Sequence, residues 1–439
     1  MFIGYHILVK FFYNGDSEND FLPNEYRFCE SNSVEGDLKG IIDNFDYIKE
    51  LGVDLIYLAP IFKSDTTHGY DTVNYFKLAT HIFDKNEFKS QKLLHNFINL
   101  CHSNDIKVIF DLVLNHVSKF YEMETITQFR PVTENPKTPQ ENRWQRLFKF
   151  WNVEDLETKK FLISVGKYWV EKFNIDGYRL DHAIGLPIEF WSEFYIELKN
   201  INKDIILLGE VWDDISDSND NYKLIKHFKE FDGNTTFTSL FDFYMYDSII
   251  EFFAEDKINN SQFFNRIIKS YFMNNKNFKL TYFMENHDLP RFINICRDYK
   301  KFEMVLKFLF TLSGNLMFEY GNEIGIQGDI TYKNFHESGR VSMKFKDNHS
   351  IKEKYLFDLF KKLVNLRKNN KSLFKGNYIL KEDKDVLIFD KVYNEDKFMI
   401  LVNKNDNYLL EGTYFDELTE EYYEDSFFEK GVYILSYEK

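Results

Sequence analysis

The chain has 439 residues, 44% of them hydrophobic and 28% charged, with a net charge of −15. That composition excludes global disorder and leaves enough apolar mass for a large α/β barrel with an appendage. The acidity repels phosphate backbones and argues against a nucleic-acid partner, and no apolar run approaches the ~18 residues of a membrane span.

Three widely spaced cysteines, Cys29, Cys101 and Cys296, form no CxxC pair, so neither a zinc pattern nor a disulfide framework is expected. Residues 1–10 carry no basic n-region and no cleavage-site pattern. With Met1 as the native start, a cytoplasmic protein is expected.

Residues 5–12 are rich in β-formers and read as the first strand. The polar loop Asn14-Gly-Asp-Ser-Glu-Asn-Asp20 lacks the spacing of a calcium-binding EF-hand and reads as a solvated turn. Helical periodicity over 36–52 places Leu38, Ile41, Ile42, Phe45, Ile48 and Leu51 on one stripe, with Gly52 where a C-cap belongs. Residues 53–58 are a continuous apolar run suited to a strand covered on both sides.

The beat continues with a helix over 87–103 and a strand over 106–114. Residues 117–156 interrupt it, with Pro131, Pro136 and Pro139, and read as an inserted excursion. Helices follow at 157–173, 187–200, 300–313 and 351–368, and strands at 175–181, 204–210, 280–284 and 316–320. The sixth strand is expected within 231–247, before a helical pattern at 246–255. Eight alternations predict a (β/α)8 barrel from 1–116 and 157–373. From 374 to 439, short alternating runs predict a small antiparallel, sandwich-like β domain.

The acidic and polar residues cluster at predicted strand ends, where such barrels build their sites: Asp111 and His116, Arg179 and Asp181, Glu210, His287 and Asp288. In a strand, Arg179 and Asp181 share one face. A guanidinium there is expected to keep Asp181 ionised, although a purely structural ion pair has the same pattern. Glu210 follows Leu207, Leu208 and Gly209, an apolar setting that raises a carboxyl pKa and suits a general acid. Two carboxylates across a sugar cleft are the minimal kit for glycoside hydrolysis.

Tyr70 can stack on a sugar ring. His116 can touch substrate or only brace a strand end, and Trp212 can meet a leaving-side sugar or only wall the barrel mouth. Arg291 is a further candidate sugar contact. Trp144 and Trp151 read equally as core or platform, and His182 is ambiguous. Asp111 and Asp71 read as braces.

Taken in order, Asp111-Leu-Val-Leu-Asn-His116, Gly177-Tyr-Arg-Leu-Asp181, Gly209-Glu210-Val-Trp212 and Glu285-Asn-His287-Asp288 resemble the four motifs of the α-amylase family, glycoside hydrolase family 13. The loop His68-Gly-Tyr70-Asp71 and the run Gly36-Asp-Leu-Lys-Gly40 resemble further family features. The resemblance implies Asp181 as nucleophile, Glu210 as acid/base and Asp288 as transition-state stabiliser. It places Tyr70, His116, Arg179 and His287 around the attacked glucose. It also implies retention of configuration through a glycosyl–Asp181 intermediate, with the carboxylates about 5–5.5 Å apart.

Ile184 and Gly185 stand where many α-amylases have Lys-His, so the usual calcium site is not supported, although Asn115 is present; no cofactor is required. Asn74 replaces an Asp common in the His-Gly-Tyr-Asp loop. The early segments resemble the neopullulanase and cyclomaltodextrinase branch. The expected function is hydrolysis of α-1,4 links in maltooligosaccharides or starch-like α-glucans. The alternatives are a cyclomaltodextrinase, neopullulanase or α-glucan transferase and, more remotely, a non-catalytic carbohydrate-binding homologue.

Overall fold

The computed structural model describes residues 1–21, 33–122, 127–131, 138–213, 218–329, 331 and 335–437; Cys29 and Pro136 lie outside them. Eight strands close into a barrel: β1 (Ile3–Ile7), β2 (Leu55–Leu58), β3 (Lys107–Leu112), β4 (Gly177–Leu180), β5 (Ile206–Gly209), β6 (Ser239–Phe241), β7 (Lys279–Tyr282) and β8 (Asn315–Glu319). Every neighbouring pair around the ring is parallel. The expected (β/α)8 architecture is present.

Alternation along the strands separates two cores. Leu55, Tyr57, Ile109, Ile206, Leu208 and Met317 fill the barrel interior. Ile56, Leu58, Val108, Phe110 and Leu207 face the surrounding helices. Each such side chain, fully buried, contributes roughly 1.5–3 kcal/mol. Gly177 sits at φ 149, and a Cβ there would fall 1.9 Å from the Ile206 carbonyl oxygen, so only glycine lets β4 lie against β5.

Two elements differ from their predicted form. Residues 8–12 leave β1 and make a 3-10 turn at Val9–Phe11, still buried; apolar content alone does not separate a strand from the turn that follows it. The helix predicted over 36–52 is two helices, Leu38–Asp43 and Phe45–Leu51. The break is at Asn44, whose side-chain amide donates to the Gly40 carbonyl and competes with the helix ladder. Asp37 caps the first helix and also receives the backbone N–H groups of Gly15 and Asp16, tying down the early polar loop.

The excursion after β3 contains an antiparallel sheet of His116–Ser118, Phe148–Trp151 and Phe129–Arg130. A short helix, Pro139–Trp144, has Pro at its start and Thr138 as its cap. Beyond the barrel, β9 (Asn377–Glu382), β10 (Leu387–Tyr393), β11 (Asp396–Asp416) and β12 (Glu421–Tyr437) form one antiparallel sheet. Tyr414 and Phe415 of β11 pair with both the beginning and the end of β12, so the sheet curls over itself. The small antiparallel β domain expected at the C-terminus is thus one four-stranded sheet. Its inner face buries Ile388, Leu401, Phe428 and Leu435, while Phe389, Ile400 and Ile434 pack with the barrel's main core.

Candidate active site

Register brings the first two site residues together: Asp111 of β3 is the direct partner of Arg179 of β4. Arg179, 1% exposed, is the hub. Its Nη1 donates to Asp111 Oδ1 at 2.9 Å and to Asp181 Oδ1 at 2.6 Å, while its Nη2 lies 2.5 Å from Glu210 Oε1. One guanidinium thus bridges the carboxyls that end β4 and β5. His182 follows Asp181 in the left-handed conformation, at φ 40, and its N–H donates to Glu210 Oε2 at 2.9 Å. That strained residue turns the backbone donor toward the carboxylate.

Arg179 favours the charged form of Asp181, as expected, but it does not act alone. Burial pushes the Asp181 carboxyl well above its usual range, Arg179 pulls it back, and the Glu210 and Asp111 carboxylates push it up again. Burial likewise raises Glu210, against Arg179. Two raised carboxyls beside one guanidinium favour a single proton held between Asp181 and Glu210. Asp288 goes the other way. Burial acts to raise it, but His287, Arg340 and Arg179 together hold it well below the ordinary value.

Tyr70 ties these groups together. Its hydroxyl donates to Asp111 Oδ2 at 2.8 Å and lies 2.6 Å from His287 Nε2, and its ring stacks on His287. Tyr57 also donates to Asp111 Oδ2. His116, pushed down to about 3 by burial, is neutral; its ring stacks on Phe148 and its Nε2 lies 3.1 Å from the Tyr70 carbonyl.

Above this floor lies an open cleft of about 440 Å³. Tyr70, His116, Asp181, Glu210, Trp212 and Asp288 line it. Arg179 lies beneath the cleft, as do His287 and Asp111, each contacting a lining residue. Trp212 stacks flat on Phe243, at 4.7 Å. Asp71 does not line the cleft; it accepts hydrogen bonds from Thr66 within its own loop. Arg291 is a correction. It is buried against Glu285 and the carbonyls of Gly339 and Tyr320, so it holds the β7 and β8 loops together and meets no cleft. Trp151 is core, donating to Tyr75 Oη.

Several lining residues lie outside the motifs, and of these only Trp144 was a candidate from sequence. Gln140, Arg143, Trp144 and Leu147 come from the excursion, and Glu337 and Arg340 come from the loop after β8. Arg340 Nη2 donates to Asp288 Oδ1 at 2.9 Å, across 52 residues of chain. His182, left ambiguous by sequence, lies 3.0 Å from the Thr138 hydroxyl and edge-on to Trp144, which anchors the excursion over the cleft.

Asn115 is fully buried with no partner on either amide atom, and Gly185 packs against its carboxamide. A calcium ion needs six to eight oxygens. Among the described residues, no group of three ligating His, Cys, Asp or Glu side chains gathers there.

A profile of the family described as "Alpha amylase, catalytic domain" matches residues 6–151 and 145–353. The chain belongs to the α-amylase family. "Alpha-amylase 2" of Dictyoglomus thermophilum is 30% identical, covering 96% of this chain and 73% of its own length. A cyclomaltodextrinase of Thermoanaerobacter pseudethanolicus is also 30% identical, covering 91% of this chain and 70% of its own. The solved structure of an Anoxybacillus alpha-amylase superposes with a TM-score of 0.77 at 25% identity, covering 100% of this chain and 98% of that one. The protein is thus an α-amylase-family glycosidase, an enzyme acting on O-glycosyl bonds. Among its described residues, no helix is long and apolar enough to cross a membrane.

Proposed function

We propose that this α-amylase-family protein is a retaining hydrolase of α-1,4 links in maltooligosaccharides and related α-glucans, acting in the cytoplasm. The observation that carries the reading is the Arg179 bridge between Asp181 and Glu210 at the mouth of the barrel. The productive form of the pair keeps its shared proton on Glu210 and leaves Asp181 charged.

Asp181 Oδ attacks the anomeric carbon as the bond to the leaving oxygen breaks. Glu210 delivers its proton to that oxygen. Water then attacks the glycosyl–Asp181 ester, and Glu210 takes up the water's proton. Asp288, held ionised by Arg340 and His287, places negative charge beside the oxocarbenium-like transition state. The aromatic rings of Trp144 and Trp212, both lining the cleft, suit the flat faces of glucose rings.

Relatives at the same identity are named alpha-amylase and cyclomaltodextrinase, so acceptor-side shape decides the finer reading. Product analysis on maltohexaose, cyclodextrin and pullulan tests it. Fast release of short maltooligosaccharides from maltohexaose, with slower attack on the other two, is expected. Preferential ring opening, or longer products than the substrate, would replace it with the cyclomaltodextrinase or transferase reading. No turnover of any of the three would leave a binding protein.

A further inference from the structure

We propose that the barrel interior, directly beneath the cleft floor, binds one transition-metal ion of the zinc type through His6, Glu319 and His287. The three side chains come from β1, β8 and the end of β7 and are fully buried. One donor atom from each lies within 4.8 Å of the others, and this is the only cluster of its kind among the described residues.

Three observations point to a ligand. First, His287 Nδ1 is buried and has no hydrogen-bond partner. A buried polar atom is normally paired, and this one calls for an explanation. Second, a small cavity of about 10 Å³ lies among these residues, bounded also by Tyr57, Arg179 and Met317. It has room for one small occupant. Third, His287 already has the outer partners of a metal-ligating histidine. Its Nε2 lies 3.0 Å from Asp288 Oδ2 and 2.6 Å from Tyr70 Oη, leaving Nδ1 to face inward. A carboxylate on the far ring nitrogen is the usual way to orient such a ligand.

Two imidazoles and a carboxylate suit zinc and neighbouring first-row ions and disfavour calcium or magnesium. The local charge favours a cation as well. Asp111, Asp181, Glu210, Glu285, Asp288 and Glu319 crowd this end of the barrel, against the guanidiniums of Arg179, Arg291 and Arg340. His6 Nδ1 and Glu319 Oε2 share a hydrogen bond in the structure. The ion takes the place of that proton, which is released to solvent. The site does no chemistry on substrate. It fixes the His287 ring, and it stands apart from the hydrolysis reading.

The test is metal content. Protein expressed in zinc-supplemented medium and passed through metal-free buffer is expected to hold about one zinc per chain. Cobalt-loaded protein is expected to show visible ligand-field absorption. Glu319→Gln and His6→Ala, checked for native circular dichroism, are expected to lose both the metal and the absorption. Unmodified protein with less than about 0.1 metal per chain, and no rise in Tm when expressed with zinc or cobalt, overturns the proposal and leaves the cavity to water. Neither readout needs substrate, so failure here is distinct from failure of the hydrolase reading.

Discussion

Arg340 holds Asp288: its Nη2 donates to the Asp288 carboxylate at 2.9 Å, while its Nε donates to the carbonyl of His287 at 2.9 Å. The side chain therefore fixes both the charge and the position of the third acidic residue, from a loop that carries none of the four motifs. Arg340→Ala is expected to lower kcat by about 10²-fold with the fold intact. Arg340→Lys restores the charge but not the fork, so it should recover only part of the loss. Arg340 lowers the Asp288 pKa, so its removal lets that value rise. The acid limb of the pH–rate profile should accordingly move to higher pH. An unchanged acid limb would reduce Arg340 to a structural strut.

Glu210 is expected to act as the proton donor to the leaving oxygen. Glu210→Gln should cost roughly 10²–10⁴-fold on starch or maltohexaose. It should cost far less on a maltosyl substrate whose leaving group needs no proton. The Glu210 carboxylate also raises Asp181. Replacing it with a neutral amide lets Asp181 ionise at lower pH, so the residual activity on the activated substrate should extend further into acid. Hydrolysis of maltohexaose within tenfold of the parent would remove Glu210 from its role.

Trp144 stands over the cleft on the excursion, edge-on to His182 at 5.0 Å. Trp144→Ala removes a wall and none of the carboxylates. KM for maltohexaose should rise about tenfold, or about 1.4 kcal/mol, with kcat nearly unchanged. The increase should be smaller for maltotriose, which spans fewer positions. Equal KM values at every chain length would show that the excursion does not touch sugar.

Asp247 lies outside the site and controls stability instead. Burial pushes its carboxyl from 3.8 to about 7, assisted by Glu251 and opposed by a hydrogen bond from Asn221. The folded value lies above the unfolded one. Folded protein therefore keeps a proton that the unfolded chain has lost between about pH 4 and 7, and stability falls as pH rises through that window. Asp247→Asn should flatten this slope. It should also raise unfolding free energy at pH 8 by on the order of 1–3 kcal/mol. Urea unfolding at pH 5 and pH 8 measures both, and equal stability of variant and parent at pH 8 would contradict the assignment.

The barrel and the acidic residues at the ends of its strands were legible in the chain. Strand periodicity, the β-α beat and acidic residues at the strand ends are local properties. A period-2 pattern also dictates that Arg179 and Asp181 share a face before any tertiary contact forms. The β1 boundary, the break at Asn44 and the curl of the last sheet were not legible. A turn, a competing side-chain hydrogen bond and a doubly paired strand each depend on neighbours that local pattern does not name.

Tertiary structure alone decided how charge is distributed. The sequence put Arg179 beside Asp181, but barrel closure also brought Asp111 and Glu210 onto the same guanidinium and removed the water. Burial first, and then the neighbouring Glu210 and Asp111 carboxylates, raise Asp181 against the pull of Arg179. Likewise, Arg291 lies three residues from Asp288 yet turns inward to Glu285, while Arg340 lies 52 residues away and reaches Asp288. Sequence distance sets which side chains a strand can present. Closure of the cylinder sets which charges meet, because Coulomb interactions act through space and strengthen where solvent is excluded.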